Sequence, residues 1–381
     1  MLINGTTKAA GVDMLKYAPA VFAVGNTYQI MVFVDRPSLM WVTVGGSCWY
    51  DDTNGILRSD MRIHRITVPA RALESARGYT VCEREIIERR AYHTLSGDEK
   101  RYSFAFRPVE GPGPVRAFHI SDTHSLYEEP LRAAAAFGEA DLLILNGDLP
   151  DRSENADDLG IVYRIADGIT RGEKPIVFSR GNHDMRGANA EVFSACTPNC
   201  DGRTYYSFRL GPVWGLVLDC GEDKEDSHPE YGHTVCCHAF RLRETDLIRG
   251  VIEHADTEYL APGVKYRVII SHIPFTRLFE GEFGIEKDLY AEWTQLIGRI
   301  GPHVMIHGHT HRIGVYFPGG DYDSYGVQPC PVVTASHLSR EYFAGCGFTF
   351  GDDGILVTAV SSLGETLMSE RIGVTGSDQK K

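Results

Sequence analysis

Two patterns of apolar and polar positions divide the chain. Over the first hundred or so residues, short β-type runs separated by turn residues recur at Tyr28–Val34, Leu39–Val44, Arg62–Val68, Tyr79–Arg84 and Tyr102–Phe106. The last alternates, with Tyr102, Phe104 and Phe106 on one face and Ser103 and Ala105 on the other, the period of a half-buried strand. Such a succession of strands predicts a β-sandwich. Trp41, Trp49 and Tyr50 are read as part of its core rather than as a ligand-binding cluster.

A seam follows at Pro108-Val109-Glu110-Gly111-Pro112-Gly113-Pro114, where proline and glycine sustain neither a helix nor a central strand. Beyond it, strands and helices alternate. Ala117–Ser121, Leu142–Leu145, Pro175–Phe178, Val268–Ile270 and Val304–Ile306 are short apolar runs of the buried-strand kind. Trp293, Leu296, Ile297 and Ile300 recur at helical spacing, as do Leu247, Ile248, Val251 and Ile252, and both stripes are read as core-facing. The runs Pro331–Thr334, Gly347–Phe350 and Ile355–Val360 are expected to complete a second sheet, and the segment Gly376–Lys381 to be disordered. The predicted division is a β-rich domain over residues 1–110 and a second domain over 115–375, two domains being natural for 381 residues.

Composition adds less. A hydrophobic share of 43% and a charged share of 23% describe a soluble globular protein. The net charge of −13 argues against a partner of extended nucleic acid, which favours a basic stripe. The nine scattered cysteines, Cys196 and Cys200 included, are read as reduced and mostly buried. No run reaches the roughly 18–20 apolar residues of a spanning helix. The amino terminus lacks a basic leader, and the apolar stretch Ala18–Val24 is too short for a signal core. A cytoplasmic protein without membrane attachment is expected.

The chemistry lies in five short motifs, each just behind one of the five apolar runs after the seam. They are Asp122-Thr123-His124, Gly147-Asp148-Leu149-Pro150-Asp151, Gly181-Asn182-His183-Asp184, Ser271-His272 and Gly308-His309-Thr310-His311. Together they supply carboxylates, imidazoles and one carboxamide, the hard and borderline donors that divalent cations take, and no thiol. Sites in open α/β sheets gather at the carboxyl ends of strands, so motifs far apart in sequence meet in one pocket. Neither a G-x-S-x-G elbow nor a P-loop is present to suggest a side-chain nucleophile.

In this order the five motifs resemble those of the calcineurin-like metallophosphoesterase superfamily, over residues 115–360. The resemblance implies an α/β (α+β) fold: a four-layer αββα sandwich of two mixed β-sheets, preceded by a smaller all-β sandwich. That first sandwich is similar to the fibronectin-III-like domain of purple acid phosphatases and their bacterial relatives. By the same resemblance Asp122, His124 and His311 hold one metal ion, Asn182, His272 and His309 the second, and Asp148 bridges both. His183 would stand near the leaving-group oxygen, with Asp184 fixing its tautomer and supporting its charge. Arg180 would bear either on a phosphoryl oxygen or on a nearby carboxylate, and Asp151 would orient a ligand or cap the following segment. In the purple enzymes the second motif ends in a tyrosine that binds ferric iron. Here the position is Asp151, so the reading is a non-purple relative.

The implied activity is hydrolysis of a phosphate monoester or diester of a small molecule by a water that two divalent or mixed-valent ions of the Mn, Fe and Zn class activate. His183 would serve as proton donor. A nuclease on the same site and a non-catalytic scaffold are the alternatives. His228, His233 and His238 are assigned to a solvated loop, and His119, His303 and His307 to structural roles.

Overall fold

A computed structural model describes residues 15–111 and 113–374, so Pro112 of the seam and the expected disorder of Gly376–Lys381 lie outside the described residues. Among these residues the helices are α1 (Ala70–Ala76), α2 (Glu128–Phe137), α3 (Ala156–Thr170), α4 (Cys237–Glu253) and α5 (Lys287–Ile300). None of them is long and apolar enough to cross a membrane.

Two mixed sheets lie face to face. In the first, Val115–Ile120, Leu142–Asn146 and Pro175–Ser179 run parallel. In the second, Val213–Val217, Tyr266–Ile270, Val304–His307 and Val332–Ala335 run parallel. Between them lies an apolar layer that includes Ala117, Ile144 and Val177 from one sheet and Val217, Ile270 and Ile306 from the other. The outer face of the first sheet is covered by α2 and α3, through Ala133, Leu159, Val162 and Ile165. The outer face of the second is covered by α4 and α5, through Ile248, Val251, Trp293 and Ile297. The layers are therefore α-β-β-α, and both helical stripes face the core as their spacing predicts.

Helix limits follow local chemistry. At the start of α3, the Asn155 side chain accepts the N–H groups of Asp157 and Asp158, while the Asp158 carboxylate accepts the N–H of Asn155. Arg171 ends the helix in the left-handed region at φ 54°, and Gly172 follows at φ 74°. In α5, Trp293, Ile297 and Ile300 are buried and Gly301 closes the helix at φ 62°.

Three features depart from the sequence reading. The stretch dismissed as too short for a signal core contains a central strand: Ala20–Val24 is buried throughout and pairs in parallel with Pro175–Ser179. Thr27–Phe33 and Ile63–Pro69 extend the sheet further, so one ten-stranded sheet runs across the seam. The strands Ser38–Val44, Gly78–Arg89 and Lys100–Ala105 form a separate sheet packed on that extension, with Met40, Val42 and Val81 against Ile30, Val32 and Ile66.

Second, Trp41 and Trp49 are only half-buried and Tyr50 is 51% exposed, because Met40, Val42 and Val44 take the inward positions of the pleat. Trp41 and Tyr50 thus lie outside the core, and Trp49 packs against it. Third, the tail serves both sheets. Val332–Ala335 joins the second, whereas Phe343–Gly351 and Gly354–Ser361 pair beside Val115–Ile120 in the first.

Candidate metal centre

Both sheets deliver their parallel strands to the same end. Val115–Ile120 leads into Asp122, Leu142–Asn146 into Asp148, and Pro175–Ser179 into Asn182 and His183. From the facing sheet, Tyr266–Ile270 leads into His272 and Val304–His307 into His309 and His311. Each chain must turn sharply as it leaves its strand. Asp122, His124, Asp148, His309 and His311 all adopt left-handed backbones, at φ 54°, 42°, 53°, 64° and 50°. Such a conformation costs a non-glycine residue roughly 1–3 kcal/mol, and its clustering here marks a constrained site.

The seven ligand candidates come together. Asp122, His124 and His311 present donor atoms within 4.8 Å of one another, and so do Asp148, His272 and His309. Asn182 joins the second group, its Oδ1 lying 3.0 Å from His309 Nδ1. Asp122 stands between the groups, with Oδ1 3.3 Å from His311 Nε2 and 3.7 Å from His272 Nε2. His272 Nε2 is 3.1 Å from Asp148 Oδ2.

Neighbouring groups orient these donors. His272 donates Nδ1–H to the Asn146 carbonyl at 2.7 Å, which turns Nε2 toward the carboxylates. That Nε2 is buried and faces the Asp148 and Asp122 carboxylates. His124 Nδ1 faces Asp151 Oδ1 at 3.2 Å, leaving its Nε2 3.3 Å from His311 Nε2. Carboxylate oxygens and imidazole nitrogens that converge in this way match a cation's coordination sphere, and divalent ions of the kind this donor set takes fit it. Asp122 also accepts from the His309 backbone N–H at 3.0 Å, from Ser121 Oγ at 2.7 Å and from Ser336 Oγ.

Electrostatics agree. Burial works against a charged Asp122, but His272 and His311 outweigh it and hold its carboxyl well below the usual range. Burial pulls His272 down while Asp148 and Asp122 push it up, to a net value of about 10. Burial lowers His309 to about 4, which keeps it the neutral ligand a metal needs.

The glycines in the motifs are there for space. A Cβ on Gly181 would lie 2.5 Å from the Asp148 backbone nitrogen, one on Gly308 2.7 Å from Asp122 Oδ2, and one on Gly147 2.9 Å from His272 Nδ1. Any side chain at these positions would displace a ligand.

The remaining candidates fall differently. His183 is half-buried, with Nδ1 3.1 Å from the Asp151 carbonyl and its ring 4.7 Å from that of His124. Asp184 does not hold it. The Asp184 carboxylate accepts the backbone N–H groups of Gly181 at 2.8 Å and Asp148 at 3.2 Å. Burial and the Asp148 charge raise it to about 8, a poor state from which to support an imidazolium. The tautomer of His183 is set by the Asp151 carbonyl instead. Arg180 takes the carboxylate alternative, with Nε 2.7 Å from the buried Asp219. Asp151 reaches His124 rather than capping a helix, a role Asn155 fills.

His228 and His238 are not incidental. They face Glu282 at 3.1 Å and Glu286 at 3.0 Å, tying the loop at His228 and the first turn of α4 at His238 to the segment before α5. His119 and His307 are fully buried, as structural roles require. Ser336 and the Asn146 carbonyl were invisible in the motifs, since a lone serine or a backbone oxygen carries no pattern.

A cluster of candidate metal ligands at the carboxyl ends of two packed mixed sheets is the arrangement of a metallohydrolase of the αββα class. Residues 115–312 match the model of the calcineurin-like phosphoesterase family, and the chain belongs to that family. It is a metallophosphoesterase, a hydrolase acting on phosphate esters. Among solved structures, the fold is similar to purple acid phosphatase PPD1 from yellow lupin (Lupinus luteus) seeds. The match is 12% identical, covers 94% of this chain and 75% of that one, and has a TM-score of 0.59. The fold is also similar to PhoD, at 11% identity over 96% of this chain and 94% of that one, with a TM-score of 0.51. No curated protein matches the chain.

Proposed function

We propose that the chain hydrolyses a phosphate monoester or diester of a small molecule with the help of two divalent metal ions. The observation that carries this reading is His272 Nε2, buried and aimed between the carboxylates of Asp148 and Asp122. Asp122, His124 and His311 would hold one ion, Asn182, His272 and His309 the other, and Asp148 would be shared. When bound, such a pair of cations lowers the pKa of a water and screens the charge of the phosphoryl group.

The chain's own residues have separable tasks. Asp151 accepts from His124 Nδ1 and keeps its Nε2 free as a donor atom. The Asp151 carbonyl accepts from His183 Nδ1 and so orients the ring, and in the imidazolium form its Nε2–H would supply the proton to the departing alkoxide. Asp184 holds the backbone of the Gly147-Asp148 and Gly181-Asn182 turns, and Arg180 is anchored on Asp219, so both act as positioning residues. The aspartate at position 151 supports the non-purple reading.

The test is turnover of p-nitrophenyl phosphate and bis-p-nitrophenyl phosphate by metal-stripped protein reloaded with Mn(II). Metal-dependent turnover of either ester is expected, and the preferred one assigns monoesterase or diesterase. No turnover of either by protein carrying two ions would overturn the reading.

A further inference from the structure

Around the metal centre, nearly every inward cation has a carboxylate. Arg180 lies 2.7 Å from Asp219, Arg186 2.8 Å from Glu222, Lys224 2.9 Å from Glu230 and Arg241 2.8 Å from Glu286. Arg277, five residues after the ligand His272, is different. Among the described residues its guanidinium makes no hydrogen bond and no ion pair, yet the residue is half-buried. It is held only by aromatic faces, with its central carbon 4.8 Å from the Tyr322 ring centroid and 5.2 Å from that of Phe279. Among the described residues Arg312 also lacks a carboxylate, but it is exposed to solvent.

The position of Arg277 is fixed. Its N–H bonds the Pro274 carbonyl at 3.2 Å, the Leu278 N–H bonds Ser324 Oγ at 2.9 Å, and the Ser324 N–H bonds the Thr276 carbonyl at 3.1 Å. Phe279, one of its two platforms, packs edge-on against the imidazole of the ligand candidate His309, with ring centroids 6.0 Å apart. The unpaired guanidinium is therefore two ring contacts away from the metal centre. A guanidinium stacked on aromatic faces keeps its five planar N–H donors, and these match the paired oxygens of a carboxylate or phosphate. Leaving such a cation half-desolvated without an anion is unfavourable unless an anion arrives.

We propose that Arg277 determines specificity by binding a second oxyanion of the substrate, so that the preferred esters carry a carboxylate or a further phosphate beyond the reacting phosphoryl group. This rests on the phosphoesterase reading above. The Tyr322 and Phe279 faces would orient the guanidinium, and Phe279 would fix the span between that oxyanion and the metal ions.

The test uses the full chain loaded with Mn(II) and two matched pairs of esters, phosphoglycolate with ethyl phosphate and fructose 1,6-bisphosphate with fructose 6-phosphate. Wild-type kcat/KM is expected to favour the member with the extra anion in at least one pair, and the favoured pair distinguishes carboxylate from phosphate. Arg277→Gln should cut that preference by about tenfold or more, the loss typical of one charge-assisted hydrogen bond, and mainly through KM. Arg277→Lys should keep part of it. Equal wild-type rates within both pairs, or an unchanged preference in Arg277→Gln, would overturn the proposal. Should the wild type turn over none of these esters nor p-nitrophenyl phosphate, the phosphoesterase reading has failed on its own account. Calorimetric binding of phosphoglycolate against ethyl phosphate, in wild type and both variants, then decides Arg277 by the same comparison.

Discussion

His183 donates its backbone N–H to Asp148 Oδ1 at 2.9 Å. The imidazole proposed to protonate the leaving group thus hangs from the carboxylate proposed to join the two ions. Among the described residues its side chain, by contrast, bonds only the Asp151 carbonyl, so the two functions can be separated by mutation. His183→Ala keeps the backbone bond and should retain two metals per chain. Its kcat on alkyl phosphates should fall by roughly 10²–10⁴, the usual contribution of a general acid. Loss on p-nitrophenyl phosphate should be smaller, because that leaving group departs without a proton. Equal losses on both esters would remove the acid role.

Asp148→Asn tests the bridge. The carboxamide keeps the shape but gives up the charge shared between His272 and the neighbouring turn. Metal content by elemental analysis should fall well below two per chain. Two retained ions would refute the assignment of Asp148 as the shared ligand.

The raised value of about 10 for His272 makes metal uptake depend on pH. In the metal-free chain its ring is protonated at neutral pH, held by Asp148 and Asp122. A metal takes the neutral ring, so binding at His272 must release that proton. Below about 10, affinity should therefore rise with pH, about tenfold per unit for one proton. Calorimetric titrations of Mn(II) in buffers of different ionisation enthalpy measure the released proton directly. Zero release at pH 7.5, with an affinity that ignores pH, would contradict the geometry.

A second pH effect concerns folding. Burial lowers His119 to about 4 and His307 to about 3, and in the metal-free chain His309 to about 4. Each folded value lies below the ordinary 6.5, so on acidification the unfolded chain binds protons that the folded chain refuses. Each ring's contribution should be intact above that value and fall beneath it by about 1.4 kcal/mol per pH unit, while Asp184, raised to about 8, carries a proton in the folded chain over the same range and offsets one ring's share. His272, with its raised value, is charged in both states there and adds no slope. Denaturant titrations of chelator-treated protein at pH 7, 6 and 5 test this, with His119→Gln expected to lower the slope by one ring's share. An identical slope in that variant would show that the imidazole of His119 does not resist protonation.

The motifs were legible because their chemistry is concentrated: a D-x-H, a G-N-H-D and a G-H-x-H, each behind an apolar run, leave little freedom in what they do together. What escaped notice depended on distant partners. Ala20–Val24 is five apolar residues with no internal mark of the strand, some 150 positions on, that it pairs with. Trp41 is as large as a core residue, but the pleat places Met40 and Val42 inward. Asp184 sits beside His183 in sequence, yet the short 3₁₀ turn at His183–Met185 sends its carboxylate back to Gly181 and Asp148. Arg277 has no sequence signature at all, since its meaning lies in the carboxylates it lacks.

The pairing of Ala20–Val24 with Pro175–Ser179 bears on how this protein can be handled. A chain begun at residue 115 would keep every metal ligand yet strip one side of the very strand that carries Asn182 and His183. The bared side would be a flat row of apolar residues with unsatisfied backbone groups, a template for self-association. The proline-rich seam looks like a place to cut, but the hydrogen bonds cross it, and dissection at that point should yield aggregate rather than a minimal catalyst.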